Sequence, residues 1–139
     1  MSQIDNMFAA AQPPSSVPMT QQEKRVYMLL KAVIYYYHGL DEAERNDLEE
    51  TASKLDADPE YKWAIDFIAK DYVSAFDRAR VYLNDIIGDY AKDNRVELIN
   101  MVWQSNNLKG YVTEMEVTAM LKLAKDWNVE QELIALVLK

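Results

Sequence analysis

A helical hairpin near the C-terminal end is the feature that most constrains this chain. Apolar residues recur at helical spacing over residues 95–104, and a polar corner follows over residues 105–110. A second helix is predicted to open at Thr113, because Thr113 and Glu116 have the spacing at which each side chain satisfies a backbone amide of the other. This second helix is predicted to close near Trp127. The segment therefore indicates two helices joined by a tight corner.

Similar start signals occur earlier in the chain. Thr20 and Asp41 are each followed three residues later by a glutamate, so a helix is predicted to begin at each. Asp58-Pro59 is a further start signal, with aspartate as the cap and proline in the first turn. The other predicted boundaries are helix ends near Gly39 and Gly88 and the start of a short last helix at Asn128.

The fold class follows from these signals. No segment shows sustained alternation of apolar and polar residues, so the sequence predicts an all-α fold. We expect a single domain of about six to eight helices over residues 20–139. Two interpretations of residues 59–87 stay open, one long helix or two helices with a bend near Lys70-Asp71.

Residues 1–19 are predicted to form a flexible N-terminal arm. They include the sequence Gln-Pro-Pro-Ser-Ser-Val-Pro over residues 12–18, which favours extended backbone. The alternative is a short amphipathic helix that docks on this domain or on a neighbour through Ile4, Met7, Phe8 and Ala11.

The composition is that of a globular protein, with 50% hydrophobic and 27% charged residues. No apolar run approaches the roughly 18 residues that cross a bilayer, so membrane insertion is not expected. The chain starts without the basic and apolar segments of a secretory signal, and it has no cysteine. These observations predict a cytoplasmic protein.

The negative charge is concentrated in one segment. The formal net charge is −8, and residues 41–60 hold nine acidic and two basic side chains, which leaves −7 there. An acidic surface repels phosphate groups, so nucleic-acid binding is not expected. Three consecutive tyrosines precede this segment and span nearly a full helical turn, so at least one is expected at the surface. The predicted surface for a protein partner, or for a second copy of the chain, comprises Tyr35, Tyr36, Tyr37, Glu42, Glu49 and Glu50.

Enzyme chemistry finds little support in the sequence. The chain has no thiol, no glycine-rich phosphate loop and no serine elbow, and His38 is its single histidine. We therefore predict a protein that is not an enzyme and that has no resident cofactor.

The two helical hairpins resemble each other. A Lys-Arg-Val-Tyr segment at residues 24–27 and an Asn-Arg-Val-Glu segment at residues 94–97 open them 70 residues apart. With a two-residue insertion in the second corner, residues 40–44 align with residues 112–116. Further along, Ala52, Leu55 and Ala57 align with Ala124, Trp127 and Val129. The alignment predicts two similar hairpins related by a pseudo-twofold axis.

The second hairpin also resembles the tellurite-resistance TerB-like family. The matching pattern is an apolar helix led by arginine, a glycine corner and a capped acidic helix. It comprises Arg95, Ile99, Val102, the segment Gly110-Tyr111-Val112-Thr113-Glu114-Met115-Glu116, Leu123-Ala124 and Trp127-Asn128-Val129. The resemblance implies an all-α cytoplasmic domain of two such hairpins, associated with stress response and with divalent-metal binding near the acidic corners.

The chain departs from the family at the implied metal site. The family has aspartate before the corner glycine and glutamate six residues after it, whereas Lys109 precedes Gly110 here and only Glu116 is kept. The candidate metal ligands implied by the resemblance and by the first corner are Glu44, Glu116, His38 and Asp41. Capping of a helix start explains both glutamates without a metal ion.

Two hypotheses follow from the sequence. In the first, a TerB-like helical domain that is not an enzyme binds a protein partner through its acidic second helix or its tyrosines. In the second, the domain is a divalent-cation-binding stress module that uses Glu44, Glu116 and neighbouring acids.

Overall fold

Seven α-helices make up the part of the chain that the structure, a computed structural model, describes: residues 19–36, 40–107 and 112–138, without the side chains of residues 105 and 106. These residues contain no β-strand, so the all-α prediction is confirmed for them. The helices are α1 (Gln21–Tyr36), α2 (Glu42–Leu55), α3 (Asp58–Ala69), α4 (Ala75–Ile87), α5 (Lys92–Asn106), α6 (Glu114–Asp126) and α7 (Glu130–Val137). None of these helices is long and apolar enough to span a membrane. Apart from Met19, the predicted N-terminal arm lies outside the described residues.

Helix α1 lies at the centre of the fold. It packs against α2, α3, α4, α5 and α6. Nine of its 16 residues are buried, among them the consecutive residues Met28, Leu29 and Leu30, which are fully inaccessible to solvent. Three consecutive positions cover most of the circumference of a helix, and a helix that is apolar on all sides belongs in a core. Helix α1 is therefore enclosed by its neighbours.

Helices α5, α6 and α7 pack against one another. Helix α5 packs against α1, α6 and α7, and α6 also contacts α7 and α1. The guanidinium of Arg95 on α5 donates a hydrogen bond to the backbone carbonyl oxygen of Trp127 over 2.7 Å. This carbonyl lies at the C-terminal end of α6, where backbone acceptors lack helical partners. Arg95 therefore fastens α5 to the end of α6.

Three predicted helix starts are confirmed. At each start the cap side chain accepts from the glutamate amide, and the glutamate carboxylate accepts from the cap amide, over 2.8–3.2 Å. The pairs are Thr20 with Glu23, Asp41 with Glu44, and Thr113 with Glu116. A capping residue of this kind stabilises a helix by about 1 kcal/mol.

The start of α3 differs from the prediction by one residue. Ala57 is the cap residue, and Asp58 is already helical and makes no capping hydrogen bond. The preceding helix explains the shift, because Asp56 has φ 54° and the amide of Ala57 donates to the carbonyl oxygen of Ala52 over 2.8 Å. This left-handed ending brings the chain directly into α3.

Residues 59–87 form two helices, α3 and α4, separated by residues 70–74. Asp71 ends the helical pattern, because its carboxylate accepts from the amide of Val73 over 3.2 Å and from the hydroxyl of Ser74 over 2.9 Å. Such local bonds offer the backbone an alternative to the helix. The guanidinium of Arg78 then bridges the break, donating to the carbonyl oxygens of Phe67 and Asp71 over 2.9 and 2.8 Å. The connection is therefore a hydrogen-bonded turn.

The ends of α2 and α6 share one local geometry. Asn128 has φ 59°, close to the 54° of Asp56, and these are the two residues other than glycine with positive φ in the described part of the chain. The amide of Val129 donates to the carbonyl oxygen of Ala124 over 2.8 Å. This bond has the same length as the one from Ala57 to Ala52. Both helices therefore begin with a reciprocal cap and end in a left-handed residue.

Candidate functional site

An exposed group of aromatic and apolar residues lies where the end of α1 meets the turn between α3 and α4. We call it the aromatic corner and define it by Tyr36, Tyr61, Tyr72 and Val73. The rings of Tyr36 and Tyr72 lie with their centroids 6.0 Å apart. Tyr72 is 63% exposed and Val73 is 95% exposed. Tyr72 and Val73 are exposed to solvent because the turn at residues 70–74 directs both side chains away from the core.

A cleft of about 180 Å³ lies at the aromatic corner. It is lined by Val33, Tyr36, Tyr72, Val73, Ala75 and Phe76. Val33 and Ala75 are buried, so the floor of the cleft belongs to the hydrophobic core, while Tyr72 and Val73 form an exposed rim. The cleft has room for one apolar side chain of a partner.

The acidic face of α2 borders the aromatic corner. Burial raises the pKa of the Tyr61 hydroxyl, and the nearby negative charge of Glu49 raises it further. Burial also raises the pKa of Tyr36, although the positive charge of Arg45 on α2 opposes the shift. Both phenols are therefore protonated hydrogen-bond donors at neutral pH. Glu42, Glu49 and Glu50 are all exposed, as a surface for a partner requires.

The structure corrects one residue of the predicted partner surface. Tyr35 is fully buried, and its hydroxyl donates to the carboxylate of Asp47 over 2.6 Å. The same carboxylate pairs with the Nζ of Lys31 over 2.8 Å. Tyr35 therefore belongs to the packing between α1 and α2, because a hydroxyl that enters a core needs a polar partner there. Tyr37 lies outside the described residues.

Tyr72 and Val73 are exposed although helical spacing alone would bury them. Helical spacing over residues 59–87 predicts that both face inward, because each continues an apolar stripe. The turn at residues 70–74 interrupts both stripes. Asp71 and Ser74 carry the signal for this turn, since the two residue types bond readily to nearby backbone groups.

The candidate metal ligands act as caps. Glu44 and Glu116 are buried, and each carboxylate accepts a hydrogen bond from the backbone amide of its cap residue. Glu116 also accepts from the hydroxyl of Thr113 over 3.0 Å. Asp41 accepts from the amide of Glu44 over 2.8 Å. At each corner, one carboxylate oxygen of the glutamate thus bonds to the protein backbone.

No group of three or more histidine, aspartate or glutamate side chains converges on a metal position in residues 19–36, 40–107 and 112–138. His38 and Lys109 both lie outside these ranges. The divalent-cation hypothesis therefore stays a prediction, and its test is titration of the metal-free protein.

The arrangement at the aromatic corner is suited to noncovalent recognition. It combines a cleft lined by aromatic and aliphatic residues, phenol donors and the neighbouring carboxylates of α2. No protein-family model, no curated protein and no solved structure matches this chain. The TerB-like resemblance accordingly stays a prediction from the residues, and the geometry of the site carries the functional argument.

Proposed function

We propose that this chain is a cytoplasmic TerB-like domain of two pseudo-repeated hairpins, that it is not an enzyme, and that it binds a protein partner through the aromatic corner and the acidic face of α2. The observation that carries the proposal is the exposure of Tyr72 and Val73 above a cleft whose floor includes the buried residues Val33 and Ala75. An exposed tyrosine beside a cleft is typical of the residues that dominate protein interfaces.

The exposed apolar surface is the first support. Tyr72 and Val73 are adjacent in sequence and lie next to Tyr36, so the surface is contiguous. Contiguous apolar surface marks interaction sites more often than single exposed residues do. The turn that presents it is held by three hydrogen bonds from Arg78, so little conformational entropy is lost when a partner binds.

Charge is the second support, and it indicates the chemistry of the partner. Residues 41–60 carry a net charge of −7, and α2, which borders the aromatic corner, lies within this segment with five acidic and two basic side chains. A symmetric contact between two copies would bring these acids together, which is unfavourable. The partner is therefore a different protein that carries an apolar side chain for the cleft and lysine or arginine residues for Glu42, Glu49 and Glu50.

Binding measurements with a purified partner test the proposal. A partner captured by wild-type protein is identified by mass spectrometry, and its dissociation constant is measured by calorimetry against wild type and a Tyr72→Ala, Val73→Ser variant. We expect binding to weaken by about 30-fold, which corresponds to about 2 kcal/mol for an interface anchor.

The matched control is Val81→Ser, which removes the same side chain from an exposed position of α4 where Val81 is 65% exposed. Its affinity is expected to equal that of wild type. Equal affinities for the control and the double variant, with both proteins folded, would exclude the aromatic corner as the binding surface.

A further inference from the structure

A second cavity lies between the first turns of α1 and α5, and its lining does not include the residues of the aromatic corner. Its volume is about 150 Å³, and the residues that line it come from α1, α5 and the segments that precede these two helices. A cavity of this volume holds a molecule of about six heavy atoms. Its floor is apolar and is formed by Val26 and Leu98, which are buried, and by Met19.

Two tyrosines form the walls of the cavity. Tyr27 belongs to α1, and Tyr90 lies in the segment between α4 and α5. The hydroxyl oxygen of Tyr90 is shielded from solvent and has no hydrogen-bond partner among the residues that the structure describes. Tyr90 therefore contributes apolar wall to the cavity, because a molecule the size of water cannot reach its hydroxyl oxygen.

The remaining polar lining is acidic. Glu23 and Glu97 line the cavity and are exposed, and Oε1 of Glu23 also accepts from the backbone amide of Thr20 over 2.8 Å. Partial burial raises the pKa of the Glu97 carboxyl, and the negative charge of Asp93 adds to the shift. Burial likewise raises the pKa of Tyr90, and Glu23 contributes. The local field is therefore negative.

The basic side chains nearest in sequence do not neutralise the carboxylates of the cavity. No lysine or arginine is among the described residues that line the cavity. The Nζ of Lys24 donates to the carbonyl oxygen of Asp56 over 2.9 Å, and Arg95 donates to that of Trp127. Lys24 and Arg95 are thus directed to helix ends elsewhere, and the guanidinium of Arg25, the third basic residue next in sequence to the lining, lies 5.0 Å from the ring centroid of Trp63.

We infer that this cavity binds a primary alkylammonium group, with its hydrocarbon stem against Val26 and Leu98 and its ammonium group between Glu23 and Glu97. The N–H donors of an ammonium group match the two carboxylates. The apolar floor and tyrosine walls favour a ligand with a short alkyl stem. A free amine and the lysine side chain of a peptide share this chemistry.

Nuclear magnetic resonance titration of the full chain tests the inference. The probes are n-butylammonium chloride, n-butanol as its neutral analogue, and N-acetyl-lysine-methylamide, all at one ionic strength. We expect shifts of the amides of Val26 and Leu98 and binding of n-butylammonium that is about tenfold tighter than that of n-butanol. If the lysine derivative binds like n-butylammonium, a peptide is the source of the group, whereas binding of n-butylammonium alone assigns the site to a free amine.

Two variants isolate the role of the carboxylate. Glu97→Gln is expected to weaken n-butylammonium binding about tenfold and to leave n-butanol binding unchanged. Asp66→Asn removes the same formal charge from an exposed position on α3 and is expected to have no effect. Equal affinity for n-butylammonium and n-butanol, or unchanged binding by the folded Glu97→Gln variant, would overturn the inference.

Discussion

The indole Nε1 of Trp127 donates a hydrogen bond to the side-chain oxygen of Asn84 over 3.0 Å. Trp127 is buried, so Asn84 provides a hydrogen-bond acceptor for the one polar atom of a large core side chain. The amide nitrogen of Asn84 donates in turn to the carboxylate of Asp126 over 3.1 Å. The same carboxylate accepts two hydrogen bonds from Arg80, over 2.9 and 3.1 Å. These contacts join α4 to the end of α6.

Replacement of Asn84 is expected to destabilise the protein although the residue itself is exposed. Asn84→Ala leaves the indole N–H of Trp127 without an acceptor, which costs about 1–3 kcal/mol of unfolding free energy. Urea unfolding at neutral pH measures the loss. Asn46→Ala, at an exposed position of α2, is the control and is expected to change stability by less than about 0.5 kcal/mol. An equal loss in both variants would contradict the role of the Asn84 contact.

The pair between Arg80 and Asp126 predicts a dependence of stability on pH. Burial acts to raise the pKa of Asp126, but the hydrogen bonds from Arg80 and Asn84 outweigh it and hold the pKa below its usual value. Because the pKa is lower in the folded state, the contribution is present above the unfolded-state pKa and is lost as pH falls through the folded-state pKa.

Wild type and Asp126→Asn are therefore expected to differ in unfolding free energy by a constant amount near neutral pH. The difference shrinks below about pH 4 as the carboxylate takes up a proton. Denaturant unfolding at a series of pH values measures both curves. A difference that is independent of pH down to acid unfolding would argue against the ion pair.

The left-handed residues at the ends of α2 and α6 predict an unusual response to alanine. Asp56→Ala and Asn128→Ala are each expected to cost about 1 kcal/mol, since aspartate and asparagine tolerate positive φ through local side-chain hydrogen bonds that alanine cannot make. Asp56→Gly is expected to lose nothing, because glycine adopts this conformation freely. Ser53→Ala, at an exposed helical position of α2, is the control and is expected to be neutral. Thermal unfolding compares the four variants, and an equal effect of alanine and glycine at residue 56 would refute the conformational explanation.

Helix capping explains why glutamate occupies positions 44 and 116 without requiring a bound cation. Variants of Glu44 and Glu116 test this explanation. Glu44→Gln and Glu116→Gln keep an acceptor oxygen but remove the charge near a helix start, so each is expected to lose about 1 kcal/mol. The loss is expected to be the same with and without calcium, magnesium, zinc or manganese. Calorimetric titration of metal-free wild type is the complementary measurement. Heat of binding that disappears in the variants would favour the divalent-cation hypothesis instead.

Local sequence signals predict the three capped helix starts. They do not predict the turn at residues 70–74 between α3 and α4. The three reciprocal caps depend on residues three positions apart, so spacing alone predicted them. The break before α4 also depends on Arg78, whose guanidinium reaches back to the carbonyl oxygen of Phe67, 11 residues earlier. Helical periodicity contains no information on such a contact. For the same reason, the sequence did not predict the bond from Arg95 to Trp127.

The candidate site was predicted in part. The position of Tyr36 at the end of α1 and the exposed acids of α2 follow from the order of the helices. Tyr35 was misassigned because consecutive tyrosines look alike in sequence, and only the packing of α2 decides which hydroxyl meets Asp47. The exposure of Tyr72 and Val73 depends on the turn at residues 70–74, which helical periodicity does not predict.

The enclosure of α1 has a consequence for how binding is linked to folding. Because five helices cover it, the backbone amides of α1 become accessible to hydrogen exchange only when most of the molecule has opened. Tyr36 is the last residue of this helix and lies on the aromatic corner. A partner held at Tyr36 would therefore slow the exchange of amides far along α1, and its binding free energy would add to the stability of the whole domain.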